Sequence, residues 1–301
     1  MKKGKITSHF TILFLLLIIF NSCEIINPDE KLAAFIKVDS VKFVSNYSVE
    51  GSSSHNITNV WHYIDGHPLG CFSIPSRIPS LITGNVILNT QAGIKLNGVS
   101  ETRVSYPFYK AYIDTVMLQE GGIYTVNPIF YYDNSVHFAW IEDFESAGIS
   151  LEKTLISDTT INECSDADLI FRNTQDYTES NKYSGLVHLR EGYRTFEIQT
   201  IDAFDLPKMG TYVFLELNYK VSAATTVGIV ANYNQSISKK PVVILNPTET
   251  WKKIYINLTQ VVSREGNARD FRIYFSGGME EGSTEEKYLF DNIKLIHTKT
   301  N

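Results

Sequence analysis

Apolar and polar residues alternate with a period of two along most of this chain. The segment TYVFLELNYK places Val213, Leu215, Leu217 and Tyr219 on one face and Tyr212, Phe214, Glu216 and Asn218 on the other. KKIYINL sets Ile254, Ile256 and Leu258 against Lys253, Tyr255 and Asn257, and DFRIYFS sets Phe271, Ile273 and Phe275 against Arg272 and Tyr274. Period two marks a strand with one buried face. AAFIKVDSVKFV, SGLVHL, RTFEIQT and ATTVGIVANY read the same way and are separated by turn signals. Asp65-Gly66 lies between two aromatic-rich segments and tolerates positive φ at both central positions, which predicts a tight hairpin. Such a turn sets His62 opposite Leu69 and His67 opposite Ile64, so the two histidines are not paired. The polar run GSSSHNITN reads as a loop. No segment has the pattern of a long helix, and no repeat suggests a solenoid. The expectation is an all-β chain in two parts, a β-sandwich over 33–134 and a second β-domain over 135–298, joined near YYDNS at 131–135.

One stretch breaks the alternation. FTILFLLLIIF holds an apolar core of about ten residues, too short for a bilayer-spanning helix of about 20. Lys2, Lys3 and Lys5 precede it, as in the charged start of a secretory leader. Asn21, Ser22 and Cys23 follow, and a small residue before a cysteine at that place resembles the lipobox of bacterial lipoproteins. The resemblance implies a signal peptide at 1–22, cleavage before Cys23, acylation of Cys23 and a lipidated tether at 23–32. Phe20 departs from the usual Leu three residues before the cysteine. The alternative is an ordinary secreted protein with a chance cysteine at its cleavage point. Acidic residues in the tether, Asp29 and Glu30, resemble the export signals of Bacteroidetes surface lipoproteins. The expected location is the outer membrane, on its periplasmic or cell-surface side.

Composition narrows the functional classes. The formal net charge is −6, and a nucleic-acid partner calls for a basic patch. No later stretch is apolar enough to span a membrane. Tyr and Phe, 17 each, suit half-buried pleated surfaces. Besides Cys23 only Cys71 and Cys164 remain, one in each half. They read as small buried hydrophobes or as a bridged pair, and no spacing suggests zinc.

Two further resemblances bear on fold and role. Trp61 to Ile94, with its Asp-Gly, Leu-Gly and Ala-Gly-Ile elements, resembles PEGA-like modules and implies an immunoglobulin-like or transthyretin-like sandwich. An opening DFES and a closing FDNIKLI bracket the strands of the second half, which resembles the galactose-binding-like jelly roll of many carbohydrate-binding modules. That resemblance implies that first and last strands are neighbours. It also implies a structural calcium held by acids on them, for which Glu145 and Asp291 are the candidates. Calcium needs six to eight oxygens, so backbone carbonyls must complete the shell. If the alternating strands share a sheet, Glu216, Asn218, Tyr255, Arg272 and Tyr274 form a glycan platform: ring faces cover sugar C–H surfaces while amide, carboxylate and guanidinium groups bind hydroxyls. The plainer account is the wet face of an antiparallel sheet. Trp61, Trp140 and Trp251 read as packing residues.

No GxSxG, HExxH or P-loop is present. Glu142 and Asp143 are adjacent and point to opposite faces of a strand, so they cannot flank one glycosidic bond. Asp39-Ser40-Val41, Asp114-Thr115-Val116 and Asp158-Thr159-Thr160 resemble the three-residue O-glycosylation motif of exported Bacteroidetes proteins. The reading is a non-catalytic, lipid-anchored envelope protein that binds glycan through its second domain. The alternative is a scaffold or accessory subunit of an envelope complex with no small ligand.

Overall fold

The computed structural model of the chain describes residues 30–176, 178, 179 and 181–300. The leader, Cys23 and most of the tether lie outside them. Among the described residues no helix is long and apolar enough to cross a membrane.

The first unit has ten strands and one helical turn. The strands are β1 (Ala34–Val38), β2 (Lys42–Phe43), β3 (Asn59–Ile64), β4 (His67–Ser73), β5 (Ser76–Ser80), β6 (Gly84–Lys95), β7 (Arg103–Ser105), β8 (Tyr112–Leu118), β9 (Ile123–Val126) and β10 (Ile129–Phe130); α1 is Tyr47–Glu50. One sheet runs β4-β3-β6-β7, with β8 also on β6, and a second runs β5-β1-β9. They pack over Ile36, Val38, Val60, Leu88 and Val116, residues that alternation places on the inner faces. Asp65 and Gly66 both take positive φ, 48° and 81°, and close the predicted hairpin. Ile64 does face His67, but a bulge at Leu69 sets His62 opposite Gly70 instead. The two-residue turn fixes the register only up to the first irregularity.

The second unit is a jelly roll. Its strands are β11 (Val136–Glu142), β12 (Leu151–Lys153), β13 (Asn162–Cys164), β14 (Ser184–Leu189), β15 (Thr195–Thr200), β16 (Val213–Val221), β17 (Thr225–Asn232), β18 (Ile237–Leu245), β19 (Lys252–Asn257), β20 (Asp270–Gly278) and β21 (Glu286–Thr298); α2 is Thr259–Arg264. One sheet has the order β13-β14-β21-β16-β19, and the other β12-β15-β20-β17-β18. The 13-residue β21 organises the first: one edge pairs with β16, and the other with β14 and then β11. The opening and closing strands are thus neighbours, with Glu142 opposite Ile293. The core between the sheets holds the face predicted to be buried: Val213, Leu215, Leu217, Ile254, Ile256, Phe271, Ile273 and Phe275. Burying each of these side chains stabilises by about 1.5–3 kcal/mol.

A third apolar cluster belongs to neither sandwich. Phe43, Tyr106, Phe108, Tyr109, Phe130 and Tyr132 of the first unit pack on Phe214, Tyr255 and Ile296 of the second. Backbone bonds reinforce it. The hairpin after β6 docks on the edge of β19, with Asn97 N–H donating to the Tyr255 carbonyl at 2.9 Å and Asn257 N–H to Asn97 Oδ1 at 2.8 Å. An edge strand with open backbone groups invites pairing, and here the first unit supplies the partner.

Candidate functional site

Phe214, Glu216 and Asn218 of β16 share a face with Lys253 and Tyr255 of β19, as the alternation requires. That face is not wet. The first unit covers it, and Glu216, Asn218 and Tyr255 are all buried. Tyr106 donates its hydroxyl to Glu216 at 2.7 Å, Tyr132 donates at 3.1 Å, and Lys253 Nζ lies 3.0 Å from the same carboxylate. Asn218 Nδ2 donates to Ser54 Oγ at 3.0 Å, and the Asn56 N–H donates to the Tyr255 hydroxyl at 2.9 Å. Lys294, opposite Glu216 on β21, donates to the Ser52 carbonyl at 2.6 Å and to Tyr132 at 3.2 Å. The serines predicted to form a polar loop are themselves buried, locked to Glu179 and Asn173.

Charge in this layer is balanced by neighbours rather than by water. Burial pushes the Glu216 carboxyl up, but the Lys253 and Lys294 charges and the Tyr106 hydroxyl outweigh it and hold it below its ordinary value. Burial and the like charge of Lys253 bring Lys294 down to about 7. Burial lifts Tyr106, Tyr109 and Tyr132 well above the usual tyrosine range.

Arg272 and Tyr274 stand elsewhere, on β20 of the opposite sheet. Arg272 Nε donates to the Ile201 carbonyl at 3.3 Å. The Tyr274 ring is buried against Gly228 of β17, where a Cβ would come within 2.6 Å of Tyr274 Cε1 and closer still to the Lys240 carbonyl. Lys239 and Glu197 pair on the same sheet. The five predicted ligand residues therefore do not form one platform: three are buried at the junction of the units and two lie on another sheet.

Glu145 Oε1 accepts the Lys182 and Tyr183 N–H groups at 2.7 and 2.9 Å. Asp291 accepts from Ser184, from Asn181 at 3.1 Å and from the Asn292 N–H at 2.7 Å. Burial pushes the Asp291 carboxyl well above the usual carboxylate range. Among the described residues no three His, Cys, Asp or Glu side chains converge as a metal set. Cys71 and Cys164 are both unbridged.

A cleft of about 610 Å³ opens beside the buried layer, where the two units meet. This falls within the roughly 300–1,000 Å³ of small-molecule sites. Its floor is Asn218 of β16 and Lys252 to Ile254 of β19. One wall is the loop before β19, ending in Trp251, and a second is Phe171 to Gln175 from the β13–β14 connection. The third comes from the first unit: Ser54 to Asn56, and Lys95 with the turn that follows β6. The walls are tied together. Trp251 Nε1 donates to the Leu169 carbonyl at 3.1 Å, and its ring meets Phe171 edge-on at 5.5 Å. The His55 N–H donates to Gln175 Oε1 at 3.0 Å, and the Thr248 N–H to the Val221 carbonyl at 2.8 Å. Burial and Lys253 bring His55 down to about 4, so it lines the cleft as a neutral ring. Trp251 is half-buried: it packs, as predicted, and it also borders this space.

No family model and no curated protein sequence matches the chain. Among solved structures it is similar to carbohydrate-binding modules. The CBM22-1–GH10 portion of xylanase 10B from Clostridium thermocellum, complexed with xylohexaose, is 12% identical with a TM-score of 0.38; the alignment covers 55% of this chain and 29% of that one. The C-terminal family 22 module of the same enzyme is 12% identical, TM-score 0.36, covering 55% and 96%. The family 11 module of the Clostridium thermocellum cellulosomal cellulase Lic26A-Cel5E is 13% identical, TM-score 0.36, covering 55% and 96%. What the cleft binds rests on its own residues.

Proposed function

We propose that this chain is a non-catalytic glycan-binding protein of the cell envelope, anchored by lipid at Cys23, and that the junction cleft is its binding site. The observation that carries the reading is the cleft's lining. A half-buried tryptophan stands beside hydroxyls and side-chain amides, namely Asn56, Asn97, Asn173 and Gln175. Sugars offer weakly polar C–H faces to rings and hydroxyls to amides. Among the described residues no carboxylate lines the cleft, so they supply no pair of acids for glycoside hydrolysis there. Both units contribute walls, so the first unit takes part in the site. The lipobox-like Asn21-Ser22-Cys23 and the charged apolar leader support the anchor. The test is a glycan array with the full-length chain and Trp251→Ala. Binding that the variant loses supports the reading, and no binding to any glycan contradicts it. A structural calcium at Glu145 and Asp291 is a separate proposal, tested by calcium titration followed by melting temperature.

A second reading, an accessory subunit, draws on one observation. Ile87 of β6 and Ile113 and Met117 of β8 are exposed on the outer face of the first unit's sheet. Apolar side chains grouped on a surface mark protein contacts. Cross-linking from Ile113→Cys in native membranes tests it.

A further inference from the structure

The charge around the cleft is one-sided. Lys95, Arg172, Lys252 and Lys253 line it, and among the described residues no Asp or Glu does. The whole chain carries −6, so the imbalance runs against the composition. Lys253 is spoken for by Glu216. Lys95, Arg172 and Lys252 have no carboxylate partner among the described residues, and they come from two walls and the floor. A second observation concerns hydrogen bonding. Asn218 is buried and borders the same space, and its Oδ1 has no partner while its Nδ2 is held by Ser54. A buried acceptor without a donor is costly, and it calls for a hydroxyl or N–H.

We infer that the ligand of the junction cleft is an anionic glycan, a chain of sugar rings bearing carboxylate or sulfate groups. The inference rests on the glycan reading above and narrows it. Sugar hydroxyls supply the donor that Asn218 Oδ1 lacks. The acid groups meet Lys95, Arg172 and Lys252, and the ring face meets Trp251. Arg172 binds a carboxylate or sulfate through two parallel N–H bonds, which a neutral sugar cannot match. Nucleic acid is disfavoured because three free cations inside one cleft do not make the extended basic track that a phosphate backbone needs.

The experiment is calorimetric titration of the full-length chain with oligomers of galacturonate, mannuronate and glucuronate. Each is run beside its carboxyl-reduced neutral form, with sulfated dextran and an RNA oligomer as further arms. The expected result is that at least one acidic glycan binds ten-fold or more tighter than its neutral or unsulfated counterpart. That preference weakens as salt is raised and is lost in Arg172→Gln combined with Lys252→Gln, while Lys37→Gln, on β1 and outside the cleft's lining, leaves it intact. The carboxylate and sulfate arms tell the two acids apart. Equal binding of acidic and neutral forms overturns the anionic ligand and leaves the glycan reading standing. Binding of RNA alone, or of no glycan at all, overturns both.

Discussion

Lys253 Nζ lies 3.0 Å from Glu216 Oε2, with the two side chains 2% and 0% exposed, on a sheet face that the first unit seals. The pair joins adjacent strands β16 and β19, and Tyr106 and Tyr132 reach the same carboxylate from the other unit. A charge buried this way is tolerable only with its partners in place. Glu216→Leu leaves the Lys253 ammonium and two tyrosine hydroxyls without their acceptor and removes a negative charge that stabilises protonated Lys294. It is expected to cost about 3–5 kcal/mol, the usual penalty for breaking a buried pair. Glu216→Leu with Lys253→Met is expected to cost less than the sum of the single changes. Urea unfolding of the full-length chain measures both.

The same layer predicts cooperativity. Interdomain surfaces that are small and wet allow units to unfold separately, whereas this one holds an aromatic cluster and buried ions. The wild type is expected to unfold in a single transition by both near- and far-UV dichroism. Two separated transitions in the wild type would contradict a rigid junction.

Lys294 gives a pH dependence with a definite sign. Its folded value of about 7 is below the ordinary 10.5, so between those values the unfolded chain binds more protons. Stability then rises with pH from about 7 towards 10.5, and the lysine adds no slope well below 7, where both states carry the proton. The groups facing Lys294 are Lys253, Glu216, Glu179 and Glu50, with Tyr132 as its hydroxyl partner. Tyr132 and the other buried tyrosines stay protonated through this window because burial raises them. Lys294→Met is expected to flatten the slope, and the wild-type minus variant difference in unfolding free energy against pH isolates the lysine.

Gly228 predicts a packing defect. Any side chain there meets the Tyr274 ring and the Lys240 carbonyl. Gly228→Ala is expected to destabilise by about 1–3 kcal/mol through overpacking, read as a lowered urea midpoint. Gly266→Ala, where only the Ser263 carbonyl is near at 3.6 Å, is the contrasting control.

Much of the fold was legible because alternation is local. Val213, Leu215 and Leu217 face the core because every second residue of a strand does, and that needs no knowledge of the rest of the chain. The same periodicity grouped Glu216, Asn218 and Tyr255 correctly but could not say what lies above them. A polar-aromatic face looks alike whether water or a second unit covers it. The available hint was aromatic density in short connecting segments: Tyr106, Phe108 and Tyr109 in YPFYK, and Tyr131 and Tyr132 in YYDNS. Loops in water need no such rings. Arg272 and Tyr274 were grouped with the others because strand pattern does not say which of two sheets a strand joins. The cleft was not legible at all, since Arg172 and Trp251 meet only through the fold of the second unit and Lys95 joins them only through the docking of the first.

The most direct test of the junction cleft as the binding site sets two variants side by side on a glycan array. Trp251→Ala removes a wall of the cleft, and Tyr274→Ala alters the outer sheet of the jelly roll. The account predicts that Trp251→Ala abolishes binding, at least a ten-fold loss in apparent affinity, while Tyr274→Ala binds as the wild type does. Loss in Tyr274→Ala with full binding in Trp251→Ala would contradict it and place the glycan on the opposite sheet.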